Sequence, residues 1–220
     1  MNAHVSQEAR LEDPPREPAA PYDSRFRRLV GNPAWSALRP AIQHRFAKRL
    51  QGTALAIYAG EVIETRLSRW GWTLSQLCRL IGAPLPLRRD GGVPAVVVVS
   101  EDRVTGGQRW TRIYHRRGRD PQVINSAKAF AGPTGLEELV GGGIGMALVV
   151  RAEADQLVFA SEHYFIVIAG RRWRIPAWLS PGQTTVIHRD LGQGWFAFDL
   201  DVTHALLGEL VHQHAIFSDQ

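Results

Sequence analysis

Residues 144–169 read IGMALVVRAE, AD, QLVFASEHYFIVIA: two long runs of strand-forming residues, Ile144–Glu153 and Gln156–Ala169, joined by the turn pair Ala154-Asp155. A link this short joins antiparallel neighbours, because a parallel return needs a crossover of roughly a dozen residues. Within Gln156–Ala169 both parities are apolar. Leu157, Phe159, Phe165 and Val167 share one; Val158, Ala160, Tyr164, Ile166 and Ile168 share the other. Such a strand is central in its sheet and covered on both sides, by a helix on one and the interior of a curved sheet on the other.

The same signals recur outward along the chain. Ala54–Thr65, Val93–Glu101, Gln108–Arg116, Gln122–Phe130, Thr184–Leu191, Trp195–Thr203 and Leu210–Phe217 all read as extended. Thr105-Gly106-Gly107, Arg117-Gly118-Arg119-Asp120, Gly170 and Gly192-Gln193-Gly194 supply turn chemistry between them. The expected fold is α+β: a strongly curved antiparallel sheet or partly closed barrel of eight to nine strands, since flat sheets of that size curl or split. Two N-terminal helices pack on it. The first opens at Asn32-Pro33 and carries Trp35, Leu38, Ile42, Phe46 and Leu50 on one face before Gly52. The second starts at Thr73, shows Leu74, Leu77, Leu80 and Ile81, and stops at Gly82 and Pro84.

Residues 1–24 carry Pro14, Pro15, Pro18 and Pro21 without apolar periodicity and read as a disordered arm. Residues 25–220 then form a single α+β domain. Apolar residues at 45% and charged residues at 21% fit a globular chain and exclude disordered or collagen-like classes. The longest apolar run, Val93–Val99, is far shorter than the ~20 residues of a spanning helix. No basic-then-apolar leader opens the chain, so the expected location is cytoplasmic. The single cysteine, Cys78, excludes an internal disulfide framework and a cysteine zinc cluster. The net charge of +5 comes from 24 Arg and only 2 Lys. The Arg residues are scattered, and the densest cluster, Arg116-Arg117-Gly118-Arg119, reads as a solvated hairpin tip. No contiguous stripe suits a phosphate backbone, so no nucleic acid is expected.

Familiar catalytic signatures are missing. There is no P-loop, no G-x-S-x-G elbow and no H-E-x-x-H. Gly141-Gly142-Gly143-Ile144-Gly145 lacks dinucleotide spacing and leads into a strand, so it reads as a turn or bulge. His188-Arg189-Asp190 copies a kinase triplet without its partners. Cys78 sits beside Leu77 in a helical stretch as a small hydrophobe. His212 and His214 share a strand face, but no third ligand is evident and no metal is expected. His163 and Glu162 alternate to opposite faces. The informative stretch is Trp110-Thr111-Arg112-Ile113-Tyr114: alternation sends Arg112 inward with Trp110 and Tyr114. A buried guanidinium needs a carboxylate, carbonyls or an anionic ligand. Glu162, flanked in parity by Ala160, Tyr164 and Ile166, is the expected internal acid; a ligand anion is the alternative.

Three ordered motifs carry a family resemblance. Trp110-x-Arg112-x-Tyr114 followed by Ser126 resembles W-x-R-x-F...S. Ile175-Pro176-Ala177-Trp178-Leu179-Ser180-Pro181 resembles L-P-x-x-L-x-P. Gly194-Trp195-Phe196-Ala197-Phe198-Asp199 with Leu206-Leu207-Gly208 and Val211 resembles G-x-F-x-F-D...L-L-G-x-x-V. Over roughly residues 30 to 218 the chain resembles an uncharacterised bacterial domain-of-unknown-function family. The resemblance implies members that occur alone or fused behind saccharopine-dehydrogenase-like NAD-binding domains. Tyr114, His204, His212 and Ala215 depart from its pattern.

The leading functional expectation is a small-molecule binding domain with an apolar pocket inside the curved sheet, taking a lipid-like or amphipathic ligand. Two alternatives stay open: an enzyme or accessory domain acting with a separate NAD-binding partner, and an interaction or scaffold domain with a filled core. The candidate ligand-contacting residues are Trp110, Arg112, Tyr114, Ser126, Glu162, Tyr164 and Trp178. No catalytic residue is assigned, and no cofactor is expected.

Overall fold

A computed structural model describes residues 22–153 and 155–219. Eleven strands run β1 (Ala56–Leu67), β2 (Val93–Asp102), β3 (Gly107–Arg116), β4 (Arg119–Ala129), β5 (Glu137–Gly141), β6 (Ile144–Glu153), β7 (Gln156–Ile168), β8 (Arg171–Arg174), β9 (Gln183–Gly192), β10 (Trp195–His204) and β11 (Gly208–Asp219). Their order is β6-β5-β4-β3-β2-β1-β11-β10-β9-β7-β8, and pairing of β6 with β7 closes the ring. The result is a closed barrel of ten antiparallel strands with β8 as an extra strand. The first half of β7 pairs with β9, from Gln156 opposite Arg189 to Ala160 opposite Thr185. Its second half pairs with β8.

Antiparallel geometry is as expected, but the strand number and the closure are not. Alternation did not reveal β5 or β8. β5 begins with two adjacent acids, Glu137 and Glu138, whose charge hides a pattern in which Leu136, Glu138 and Val140 face inward. Short as it is, β5 bridges β4 and β6 and completes the ring. Gly141, Gly142 and Gly143 take φ of 119°, 58° and 76°, so the glycine run is the β5–β6 turn.

Four short helices replace the expected two: α1 (Arg25–Val30), α2 (Asn32–Ala37), α3 (Pro40–Ala47) and α4 (Arg69–Leu77). The helix expected across residues 32–52 breaks before Pro40, where Leu38 and Arg39 are extended at ψ 150° and 141°. A proline ring disfavours helical backbone in the residue before it. The apolar stripe is nevertheless buried throughout: Trp35, Leu38, Ile42, Phe46 and Leu50 all lie in the core. The helices α1, α2 and α3 plug one end of the barrel, here the lower end, where β1 begins. Phe26 packs edge-on against Phe46, Phe130 and Phe159 there. Of the expected arm, residues 22–24 are described; Tyr22 is exposed but bridges Lys48, and Asp23 is packed. Asp23 is buried, and its N–H donates to the Ala47 carbonyl at 2.7 Å. Residues 1–21 lie outside the described residues.

The upper end, where β1 finishes, is treated differently. α4 starts earlier than Thr73 because Ser68 caps it, its hydroxyl accepting from the Gly71 N–H at 3.1 Å. A Cβ at Gly71 would stand 1.7 Å from the Leu210 carbonyl oxygen, so only glycine lets the helix lie this close to β11. A 3₁₀ turn over Cys78–Ile81 and another over Ala177–Leu179 extend along the same end. Leu77 and Leu80, part of the apolar pattern that marked this helix in the sequence, are exposed.

Candidate functional site

Strand alternation on β3 turns Trp110, Arg112 and Tyr114 into the barrel, as the sequence implied, and Gln108 is buried on the same face. β4 adds Ile124, Ser126 and Lys128, and β5 adds Glu138. Lys128 and Glu138 are opposite one another in the β4–β5 register. The Lys128 Nζ donates to Glu138 Oε2 at 2.5 Å, and Arg112 donates to Glu138 Oε1 at 3.2 Å and to the Ser126 hydroxyl. Lys128 also lies over the rings of Trp110 and Phe159, 5.4 and 5.5 Å from their centroids. Two cations therefore share one carboxylate inside the barrel.

Electrostatics make Glu138 a fixed anion. Burial alone raises a carboxyl pKa, but the Lys128 and Arg112 charges outweigh it and bring Glu138 down to about 2. Burial pushes the Lys128 ammonium below its ordinary value; Glu138 opposes that shift and Arg112 adds to it. Asp199 also borders this region, but its carboxylate is held by His214.

Above the charged cluster lies a cavity of about 250 Å³. Its walls are mostly apolar, among them Leu74, Ile81, Ile144, Met146, Ile175 and Leu200, with Arg112, Ser126, Glu138, Tyr164 and Thr184 as polar points. A second chamber of about 70 Å³ is bounded by Trp110, Tyr114, Lys128, Phe159 and Phe198. Arg112 and Glu138 wall both chambers. The Arg112 side chain keeps 22% of its surface accessible while Glu138 keeps 6%, so the guanidinium is the charged group that a ligand can reach. Cys78 reaches the upper wall, where burial pushes its thiol pKa up and leaves it a neutral group.

Of the residues singled out from sequence, Trp110, Arg112 and Tyr114 border the smaller chamber, and Arg112, Ser126 and Tyr164 the larger. The Tyr164 hydroxyl is tied to Thr184 Oγ1 at 2.6 Å. Trp178 is 77% exposed and stands on the upper rim, beside Leu179 of the cavity wall. Glu162 is not the partner of Arg112. In the β6–β7 register Ala147 opposes His163 and Leu148 opposes Ser161, so Glu162 is the extra residue of a β-bulge. The bulge breaks the alternation that would have pointed Glu162 inward. It leaves Glu162 exposed and brings it 3.1 Å from His163 Nδ1, against the expectation that the two face apart. Lys128 and Glu138 are the residues that sequence reading missed. The inward Leu136-x-Glu138-x-Val140 spacing was the available signal.

Elsewhere, His212 and His214 do share an outer face, each paired across the strands with an aspartate: Asp201 at 2.6 Å and Asp199. Glu209 approaches Asp201 and His212 closely enough for a shared cation, a third group that alternation could not reveal. Arg66 already occupies both of its carboxylate oxygens, at 3.2 and 3.3 Å. No helix among the described residues is long and apolar enough to cross a membrane.

A family model described as a domain of unknown function (DUF4166) matches residues 38–217, and the chain belongs to that family. No curated protein and no solved structure matches it.

Proposed function

We propose that the barrel of this DUF4166 member binds a small amphipathic anion, with its apolar part in the 250 Å³ cavity and its charged group at Arg112. One observation carries the reading: a buried lysine and a partly buried arginine share a single carboxylate at the floor of an apolar chamber. Such a cluster has an uncompensated positive charge, and desolvated charge is costly unless paired. An incoming carboxylate, sulfonate or phosphate would complete it. The space corresponds to about eight waters at ~30 Å³ each, which suits a ligand of roughly that many heavy atoms. The cavity falls slightly below the ~300–1,000 Å³ usual for ligand sites and has their mostly apolar lining with few polar anchors.

The same features argue against a filled scaffold core and against Glu138 as a general acid or base. A filled scaffold core would leave no chamber of this size. A general acid or base needs a pKa near the working pH, whereas the charge cluster drives Glu138 away from it, to about 2. Glu138 is a counter-ion that orients Arg112.

Titration calorimetry with octanoate and octanol tests the proposal. The expected result is one-to-one binding of octanoate, markedly weaker binding of octanol, and loss of octanoate binding in Arg112→Met. Equal affinity for the acid and the alcohol would refute it. So would full retention of octanoate by Arg112→Met.

A further inference from the structure

We propose that the upper rim of the barrel docks on an anionic lipid bilayer. Four of the seven tryptophans sit at this end, and all four are more than half exposed: Trp70 61%, Trp72 52%, Trp173 57% and Trp178 77%. Leu80 and Leu206, on two different loops of the same end, are 87% and 89% exposed. Four tryptophans and two leucines are thus exposed at this end rather than buried in the core. Exposed large apolar side chains gathered at one end mark an interaction site, and exposed tryptophan is the side chain favoured at bilayer interfaces.

Charge says which partner. Arg69 flanks Trp70, Arg79 precedes Leu80, and Arg171 and Arg174 bracket Trp173; all are exposed. Among the described residues none of these four is in an ion pair. The basic hairpin tip at Arg117 and Arg119 joins β3 to β4 at the same end. Toward this end Asp90, Asp120, Glu61, Glu162 and Asp201 are the acids without an arginine pair, the last two beside His163 and His212; Arg69, Arg79, Arg117, Arg119, Arg171 and Arg174 outnumber them. Unpaired arginines interleaved with tryptophans and leucines complement a surface that offers both negative headgroups and an apolar layer beneath. Anionic bilayers offer both.

The rim is also continuous with the cavity. Leu179 is 60% exposed on the rim and lines the chamber, as do Ile81 and Leu85 from the segment after α4. Docking would place the cavity mouth against the lipid, so an amphipathic ligand could pass between bilayer and barrel without crossing water. That route rests on the proposed binding function; the docking does not.

Flotation of the full chain with vesicles of phosphatidylcholine, with and without phosphatidylglycerol, tests this. The expected result is binding to the anionic vesicles, weaker binding to the neutral ones, and release by added salt. The double variant Trp70→Ser/Leu80→Ser removes exposed groups that do not wall the cavity. It should keep its melting temperature and octanoate affinity while losing most vesicle binding. Arg79→Ala should weaken partitioning about fivefold, the effect of roughly one basic group at an anionic surface. Arg112→Met should float like the parent. Absence of binding to anionic vesicles, equal binding to neutral ones, or undiminished binding by the double variant overturns the docking. A concentration-dependent dimer abolished by the double variant, with no vesicle binding, would assign the rim to a second copy of the chain. Failure of every protein to bind octanoate would refute the cavity reading and leave the docking standing.

Discussion

Replacing Glu138 by glutamine removes the only negative charge from a cluster that then retains Arg112 and Lys128. Replacing Arg112 by methionine instead leaves Lys128 and Glu138 as a matched pair at 2.5 Å. The two substitutions delete opposite ends of one contact yet should differ sharply in cost. Breaking a buried pair so that a charge is left uncompensated costs about 3–5 kcal/mol. The fall of the Glu138 pKa from 4.5 to about 2 gives a consistent figure of about 3 kcal/mol, at ~1.36 kcal/mol per pH unit. Arg112→Met should cost at most about 1 kcal/mol, since one partial pairing is lost and an apolar chain enters an apolar chamber. Urea unfolding at neutral pH measures both. The sign of the pH effect follows from the depressed value. Glu138 stabilises fully above its unfolded value near 4.5, and that contribution disappears as pH falls towards about 2. Parent stability should therefore drop across that window, and Glu138→Gln should lack that component of the drop. If Arg112→Met proves as damaging as Glu138→Gln, the cluster is not over-supplied with cations and the argument for an anionic ligand falls with it.

Two further predictions concern the lower end. Phe46→Ala should cost about 3–5 kcal/mol in the same assay, because the ring is buried against Phe26, Phe159 and His188; a near-neutral result would mean that the plug is not part of the core. His188 is buried with neither ring nitrogen hydrogen-bonded, and burial, followed by the charge of Arg45, lowers its pKa from 6.5 to about 3. Stability should thus erode as pH falls from 6.5 towards 3, and His188→Phe should flatten that part of the profile; an unchanged acid limb would show that the imidazole is protonated or paired in the folded protein.

Local patterning determined much of this molecule. Nine strands were legible because side chains on a strand alternate with a period of two, and short glycine-rich links leave room only for antiparallel neighbours. The inward turn of Arg112 followed from Trp110 and Tyr114 on either side of it, a relation spanning five residues. The stripe from Trp35 to Leu50 marked its own burial even though Pro40 divides it into two elements, because burial of a face does not require an unbroken helix. The partner of Arg112 could not be reached in this way. Glu138 lies 26 residues further on, in a five-residue strand whose adjacent acids mask its apolar alternation. Glu162 looked suitable only while alternation was taken to run unbroken along β7, and a bulge is set by the register with β6, not by the bulged strand alone. Closure likewise depends on pairing β6 with β7 while β5 spans to β4. The cavity, its charged floor and its apolar rim come from the ends and faces of strands far apart in the chain. Periodicity fixes which way a side chain points, but only the closed ring of hydrogen-bonded registers decides what it meets.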